Sequence, residues 1–237
     1  MSCVNVCASV LPALRRMPKP IVKQKGITMT CTKNENGRRT AARSLVYRWF
    51  YRSLHYPSEG SGLPIIENDV SSAFEILDQP ALKDKFARFI RSLDGADVEA
   101  LQVEYVRLFD YRPSCPPYES AYRKDMKGAG LLGDLAEIYR EGDLKCVPSL
   151  AIDHISVQFE FMHYLTHTEQ SAGLGAQNYR EMQKRFLEDH LMKWVPTFCD
   201  DLKVRSIPPY SILAEIIGDF LLMEQRLLCA SAGSTPV

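Results

Sequence analysis

Asp153-His-Ile-Ser-Val-Gln-Phe-Glu-Phe-Met-His-Tyr-Leu165 decides the fold. Ile155, Phe159, Met162 and His163 step around one face of a helix, and Val157, Phe161, Tyr164 and Leu165 fill the face beside it. A surface helix shows one apolar stripe, so apolar residues on more than one side predict a helix enclosed by others on most of its circumference. Outward from this segment the same period recurs. Ala41, Leu45, Val46, Trp49, Phe50 and Leu54 predict a helix from Thr40 that Pro57 stops, and Asp69–Leu77 predicts a second. Pro80 opens a third that the Asp94-Gly95 turn ends, and Asp97–Phe109 makes a fourth. Leu131–Glu141, closed by Gly142, precedes the enclosed segment. Gln177–Leu202, with Pro196 predicting a kink, and Tyr210–Leu228 follow it. No alternating strand pattern longer than a few residues appears, so the expectation is an all-α, single-domain bundle of about eight helices.

The chain of 237 residues suits one domain. Its 46% apolar and 24% charged content is ordinary for a globular protein, and no apolar run reaches the length of a membrane span. Stable membrane insertion is therefore not expected. The net charge of zero hides an asymmetry. Residues 1–43 hold nine Lys/Arg and one acid, whereas the remaining 194 hold twenty Lys/Arg and twenty-eight acids. An acidic body repels nucleic acid and attracts cationic partners. Residues 1–39, rich in Pro, Gly and basic side chains, read as a disordered basic extension; 40–232 form the helical domain and 233–237 a short tail. Seven scattered cysteines without a Cys-x-x-Cys pair read as free thiols of a reducing cytoplasm.

Between the fourth helix and Leu131 lies the stretch least explained by a core: Phe109-Asp-Tyr-Arg-Pro-Ser-Cys-Pro-Pro-Tyr-Glu-Ser-Ala-Tyr122. Pro113, Pro116 and Pro117 break the helix, and Tyr118-Glu119 restarts it. Aromatic rings beside a carboxylate on a stiff loop suit a ligand that is part apolar and part cationic. Asp153-His154 repeats the theme at the start of the enclosed helix, where Asp153 can cap free N–H groups. If the bundle brings these two helix starts together, they form one patch of carboxylate, imidazole and aromatic surface.

Other motifs compete. Gly128-Ala-Gly130-Leu-Leu-Gly133 matches a dinucleotide-binding string, but that mechanism needs a preceding strand and charged residues stand there instead. Glu160, His163 and His167 share a helical face, which gives the alternative of a metal-dependent helical-bundle enzyme. A di-iron bundle needs a second Glu-x-x-His, and none occurs. The plainer reading is a buried, hydrogen-bonded His163 and a surface His167. No nucleophile elbow is present, so no catalytic residue is assigned.

Four segments in order, Glu104-Tyr-Val-Arg-Leu-Phe109, Pro116-Pro-Tyr-Glu-Ser-Ala-Tyr122, Asp153–Met162 and Phe186-Leu-Glu-Asp-His-Leu-Met-Lys-Trp194, resemble the TorD/DmsD/NarJ family of redox-enzyme maturation chaperones. The resemblance implies a cytoplasmic, non-catalytic helical protein. Such a protein binds the apo catalytic subunit of a molybdopterin oxidoreductase, with its twin-arginine leader, until cofactor insertion and export. It implies leader binding by Pro116, Pro117, Tyr118, Glu119, Asp153 and His154; Tyr118 stands where many members carry Trp. The residue chemistry adds Phe109 and Tyr122 as groove walls, with Glu119 and Asp153 facing the leader's guanidinium groups. No metal is expected; guanine nucleotide or molybdopterin cofactor binding is implied for parts of the family, with no motif here that answers to it, and the protein is expected as a monomer or a domain-swapped dimer.

Overall fold

The computed structural model describes residues 14–16, 35–57, 67–126, 128–146 and 151–230. Ten α-helices dominate them: α1 (Glu35–Ser53), α2 (Glu67–Ile76), α3 (Pro80–Leu93), α4 (Val98–Phe109), α5 (Glu119–Tyr122), α6 (Gly128–Glu141), α7 (Ile155–Glu169), α8 (Ala176–Phe186), α9 (Met192–Arg205) and α10 (Tyr210–Ala230). The all-α architecture expected from periodicity is present. A two-stranded ladder, which no alternation announces, pairs β1 (Leu14–Arg16) antiparallel with β2 (Leu144–Cys146). Three residues are too few for a period of two to show. The first helix begins at Glu35, ahead of the expected Thr40, so Glu35–Arg39 belong to α1 and not to an extension. Most of the expected disordered segment, and the tail 233–237, lie outside the described residues.

The enclosed helix is α7, where Ile155, Phe159, Phe161, Met162 and Leu165 are all fully buried. It packs along α1 on one side and α8 on another, while α10 lies against α3 and α9. Between α1, α7 and α10 sits an aromatic cluster: Tyr47, Phe50, Phe159 and Phe220, with ring centroids 5.1–6.5 Å apart in mostly edge-on contacts. Edge-on rings set the positive rim of one against the negative face of the next and favour this packing beyond the area buried.

Arg43, on α1, is buried in the same region. Its fork bonds both oxygens of Glu224, at 2.6 and 2.7 Å, and reaches Gln183 at 2.7 Å, while the Tyr47 hydroxyl donates to Glu224 at 3.0 Å. Two charges taken out of water need such partners to persist; the remaining Nη1 makes no hydrogen bond and lies 3.7 Å from Glu169. The Glu224 carboxylate holds the guanidinium protonated against burial, and burial with Glu224 raises the Tyr47 phenol. The network ties α1 to α8 and α10 across the sequence.

From α8 to α9 the helix runs on through a π-turn, Leu187–Leu191. Pro196 lies inside α9, downstream of that turn.

Candidate functional site

The proline loop and the start of α7 lie side by side. Ile155 N donates to the Pro117 carbonyl at 2.9 Å and Glu119 N to the Asp153 carbonyl at 3.0 Å. These bonds frame an antiparallel bridge between Tyr118 and His154, whose rings meet edge-on at 5.1 Å. The two helix starts thus form one surface, as their shared composition suggested. Proline disfavours the helical region in the residue before it, which suits a chain leading into such a bridge.

The capping arrangement is crossed relative to expectation. His154, not Asp153, caps α7: its Nδ1 accepts from Ser156 N at 3.2 Å. The Asp153 carboxylate instead accepts from Ser120 N, at 3.2 Å, and so caps α5. Each helix start depends on the other. Burial, with His55 nearby, depresses the His154 imidazole to about 4, Asp153 opposing the shift, so the ring is neutral at neutral pH.

Glu119 was expected to face a ligand; the structure buries it completely. Oε2 accepts from Gln158 Nε2 at 2.5 Å, and Oε1 from Arg123 Nη1 at 2.9 Å. His190 Nδ1 lies 3.1 and 3.2 Å from the two oxygens. Gln158 in turn accepts from Trp194 Nε1 at 3.0 Å. The π-turn carries His190, and an added residue in the turn aims that side chain at the carboxylate; such turns recur at functional sites. Three of the four sequence motifs therefore meet at one carboxylate. The first, Glu104–Phe109, locks the neighbouring connection: Arg107 pairs with Glu104 through two 2.7 Å bonds and donates to the Arg205 carbonyl at 2.6 Å. The Arg107 fork depresses the Glu104 carboxyl below its ordinary value.

Of the remaining expected residues, Phe109 is a core ring against Tyr105, Phe198 and Tyr210, not a groove wall. Its helical spacing with Tyr105 fits that role better than its place beside the loop. Asp153 and Pro117 are buried; Pro116, Tyr118, His154 and Tyr122 are half-buried. Tyr122 packs on Trp194 and Phe198, its hydroxyl buried without a hydrogen-bond partner. The surface on offer is Pro116, Tyr118 and His154, and the carboxylates support it from behind. Sequence reasoning does not single out Gln158, His190, Arg123 or Trp194. A glutamine on an otherwise apolar helical face was the available signal, since a buried amide demands partners.

The competing motifs do not assemble. His163 Nδ1 lies 2.9 Å from the Ser44 carbonyl and 3.0 Å from its hydroxyl, so that nitrogen is engaged within the bundle; His167 is exposed. Among the described residues no group of three or more His, Cys, Asp or Glu is placed to hold a metal ion. Gly128, Gly130 and Gly133 lie within helix α6 and close no strand-to-helix turn.

The site is thus an all-α scaffold with a hydrogen-bonded brace beneath an aromatic and imidazole surface. The profile of the family described as nitrate reductase delta subunit matches residues 77–200, just over half of the chain, and the chain belongs to that family. It is 27% identical over 172 residues to the perchlorate reductase assembly chaperone protein of Dechloromonas aromatica, covering 67% of this chain and 76% of that one. It is 29% identical over 108 residues to the selenate reductase assembly chaperone protein of Thauera selenatis, covering 42% and 56%. A crystal structure assigned as a redox enzyme maturation protein from Archaeoglobus fulgidus aligns over 86% of this chain and 99% of its own, with 21% identity and a TM-score of 0.40. Both curated relatives are assembly chaperones by name, and the metal-enzyme alternative finds no support in them. No helix among the described residues is long and apolar enough to cross a membrane.

Proposed function

We propose that the protein is a cytoplasmic assembly chaperone for the catalytic subunit of a molybdopterin oxidoreductase, which it holds through the basic leader until cofactor is inserted. The observation that carries this reading is the convergence of Glu119, Gln158, His190 and Trp194, from three separate motifs, beneath the Tyr118–His154 surface. A rigid brace of this kind pre-organises a surface, and pre-organisation lowers the ordering cost of binding. The surface is aromatic and carries a neutral imidazole, which suits the apolar part of a leader. The acidic body, with its excess of eight acids over Lys/Arg beyond residue 43, speeds encounter with a basic segment in a salt-dependent way.

Affinity co-purification from cells expressing the protein at native level, read by mass spectrometry, tests this. A molybdopterin oxidoreductase subunit is the expected partner, and its loss on replacing Tyr118 and His154 together would assign the surface. Recovery of no oxidoreductase subunit would overturn the proposal.

A further inference from the structure

The Glu119 carboxylate is closed to solvent, yet its network has one outlet. Arg123 leaves the end of α5 and reaches back to Glu119 Oε1 with a single N–H, from Nη1, at 2.9 Å. The same nitrogen donates to the Asp189 carbonyl, at 2.9 Å. The remaining edge of the guanidinium, Nε and Nη2, forks onto Asp125 at 2.7 and 2.8 Å. Exposure rises along this line, from 0% for the Glu119 side chain to 8% for Arg123 and 64% for Asp125. Arg123 thus lies between a buried carboxylate and a solvent-facing one, bound by its fork to the outer partner and by one bond to the inner. Residues 123–126 belong to no helix, so a change of side-chain torsion there disturbs no backbone ladder.

We infer that Arg123 is the resident occupant of a guanidinium site at Glu119, and that a client arginine binds by exchange. Arg123 releases Oε1 while its fork keeps hold of Asp125, and the incoming guanidinium takes its place on Oε1. The inference rests on the leader-binding reading given above. Its physical basis is that a buried carboxylate tolerates replacement of one cation by another but not desertion by both. An arginine is the fitting replacement, because its planar fork supplies the hydrogen bonds that Arg123 gives up to Glu119 and the Asp189 carbonyl. Asp125 serves as the parking position: it holds the displaced charge at the surface, where water and the carboxylate share it. Arg123 is accordingly a specificity-determining residue, since a client without an arginine leaves it in place.

Two variants give opposite signs. Calorimetric titration would use the full chain and a synthetic peptide of two adjacent arginines followed by an apolar segment, beside the same peptide with both arginines replaced by glutamine. Arg123→Gln removes the competitor and should tighten the arginine peptide by roughly five- to tenfold, leaving the glutamine peptide unchanged. Asp125→Asn removes the parking position and should weaken the arginine peptide by about threefold or more. A thermal melt establishes that each variant is folded. Should Arg123→Gln fail to fold, Asp125→Asn decides alone, because that side chain is exposed and its change leaves Arg123 in place on Glu119. Arginine-dependent binding by the wild type that is unaltered or tighter in Asp125→Asn would overturn the exchange while leaving the leader site standing. Tighter binding of both peptides by Arg123→Gln would also overturn it. Failure of the wild type to distinguish the peptides would remove the arginine site itself and the exchange with it.

Discussion

Two buried carboxylates, Glu224 and Glu119, answer the same physical problem and end differently. Each is fully buried, each accepts from an arginine, and each network includes a glutamine and an aromatic or imidazole group. At Glu224 the arginine turns its fork inward and is itself only 1% exposed. The network is sealed, and it joins helices far apart in sequence. At Glu119 the arginine turns its fork outward to Asp125 and commits one N–H to the interior. The direction of a guanidinium fork therefore separates a bond that holds the fold from one that remains exchangeable.

The largest effect expected of this contrast lies at the sealed end. Arg43→Met leaves Glu224 buried without its cation and should cost about 3–5 kcal/mol in denaturant unfolding. Peptide selectivity among the molecules that remain folded should not change, and altered selectivity would erase the distinction between the two networks. Glu119→Gln keeps the shape but weakens the bonds from Arg123 and His190, so about 1–3 kcal/mol is expected. Here loss of arginine-peptide affinity should accompany the loss of stability. A stability loss with full affinity would reduce Glu119 to a second Glu224.

A subtler test uses pH. The folded His154 imidazole sits near 4, below its ordinary 6.5, and burial lowers His55 and His163 in the same direction. Above 6.5 none of them contributes. As pH falls below 6.5 the unfolded chain takes up protons that the folded chain refuses, so stability declines through the window from 6.5 to 4. His154→Asn retains a short acceptor for the α7 cap and should flatten that decline; an unchanged slope would show that the ring is not shielded. The smallest effect belongs to Tyr122→Phe. The hydroxyl is buried without a partner, so removing it should leave stability unchanged or raise it by up to about 1 kcal/mol in the same unfolding assay.

The helices were legible in the sequence because apolar spacing reports which side of a helix faces inward. It does not report what that side meets. His190 and Trp194 lie within the expected helix Gln177–Leu202, yet their meeting with Glu119 and Gln158 depends on tertiary packing. The juxtaposition of the two helix starts was foreshadowed by their like composition. The burial of Glu119 and Asp153 was not, because an acid at a helix start looks the same in sequence whether it caps toward water or toward another loop. Arg43 was concealed for a related reason: beside Arg38 and Arg39 it reads as one more charge of a basic segment, and its partner Glu224 lies near the far end of the chain.

The π-turn at Leu187–Leu191 has a bearing on how the domain tolerates change. A wide turn takes up one residue more than a regular α-turn and lets the rod continue beyond it, so α8 packs on α7 and α10 while α9, on the same rod, packs on α10 and α5. The surplus is stored at the height of His190. Excising a single residue there would let the turn close to a regular helix, leaving Trp194, Phe198 and Leu202 in the core while taking away the bulge that carries His190 to Glu119. Point substitutions along α9 injure the packing; a one-residue deletion upstream would strike the brace.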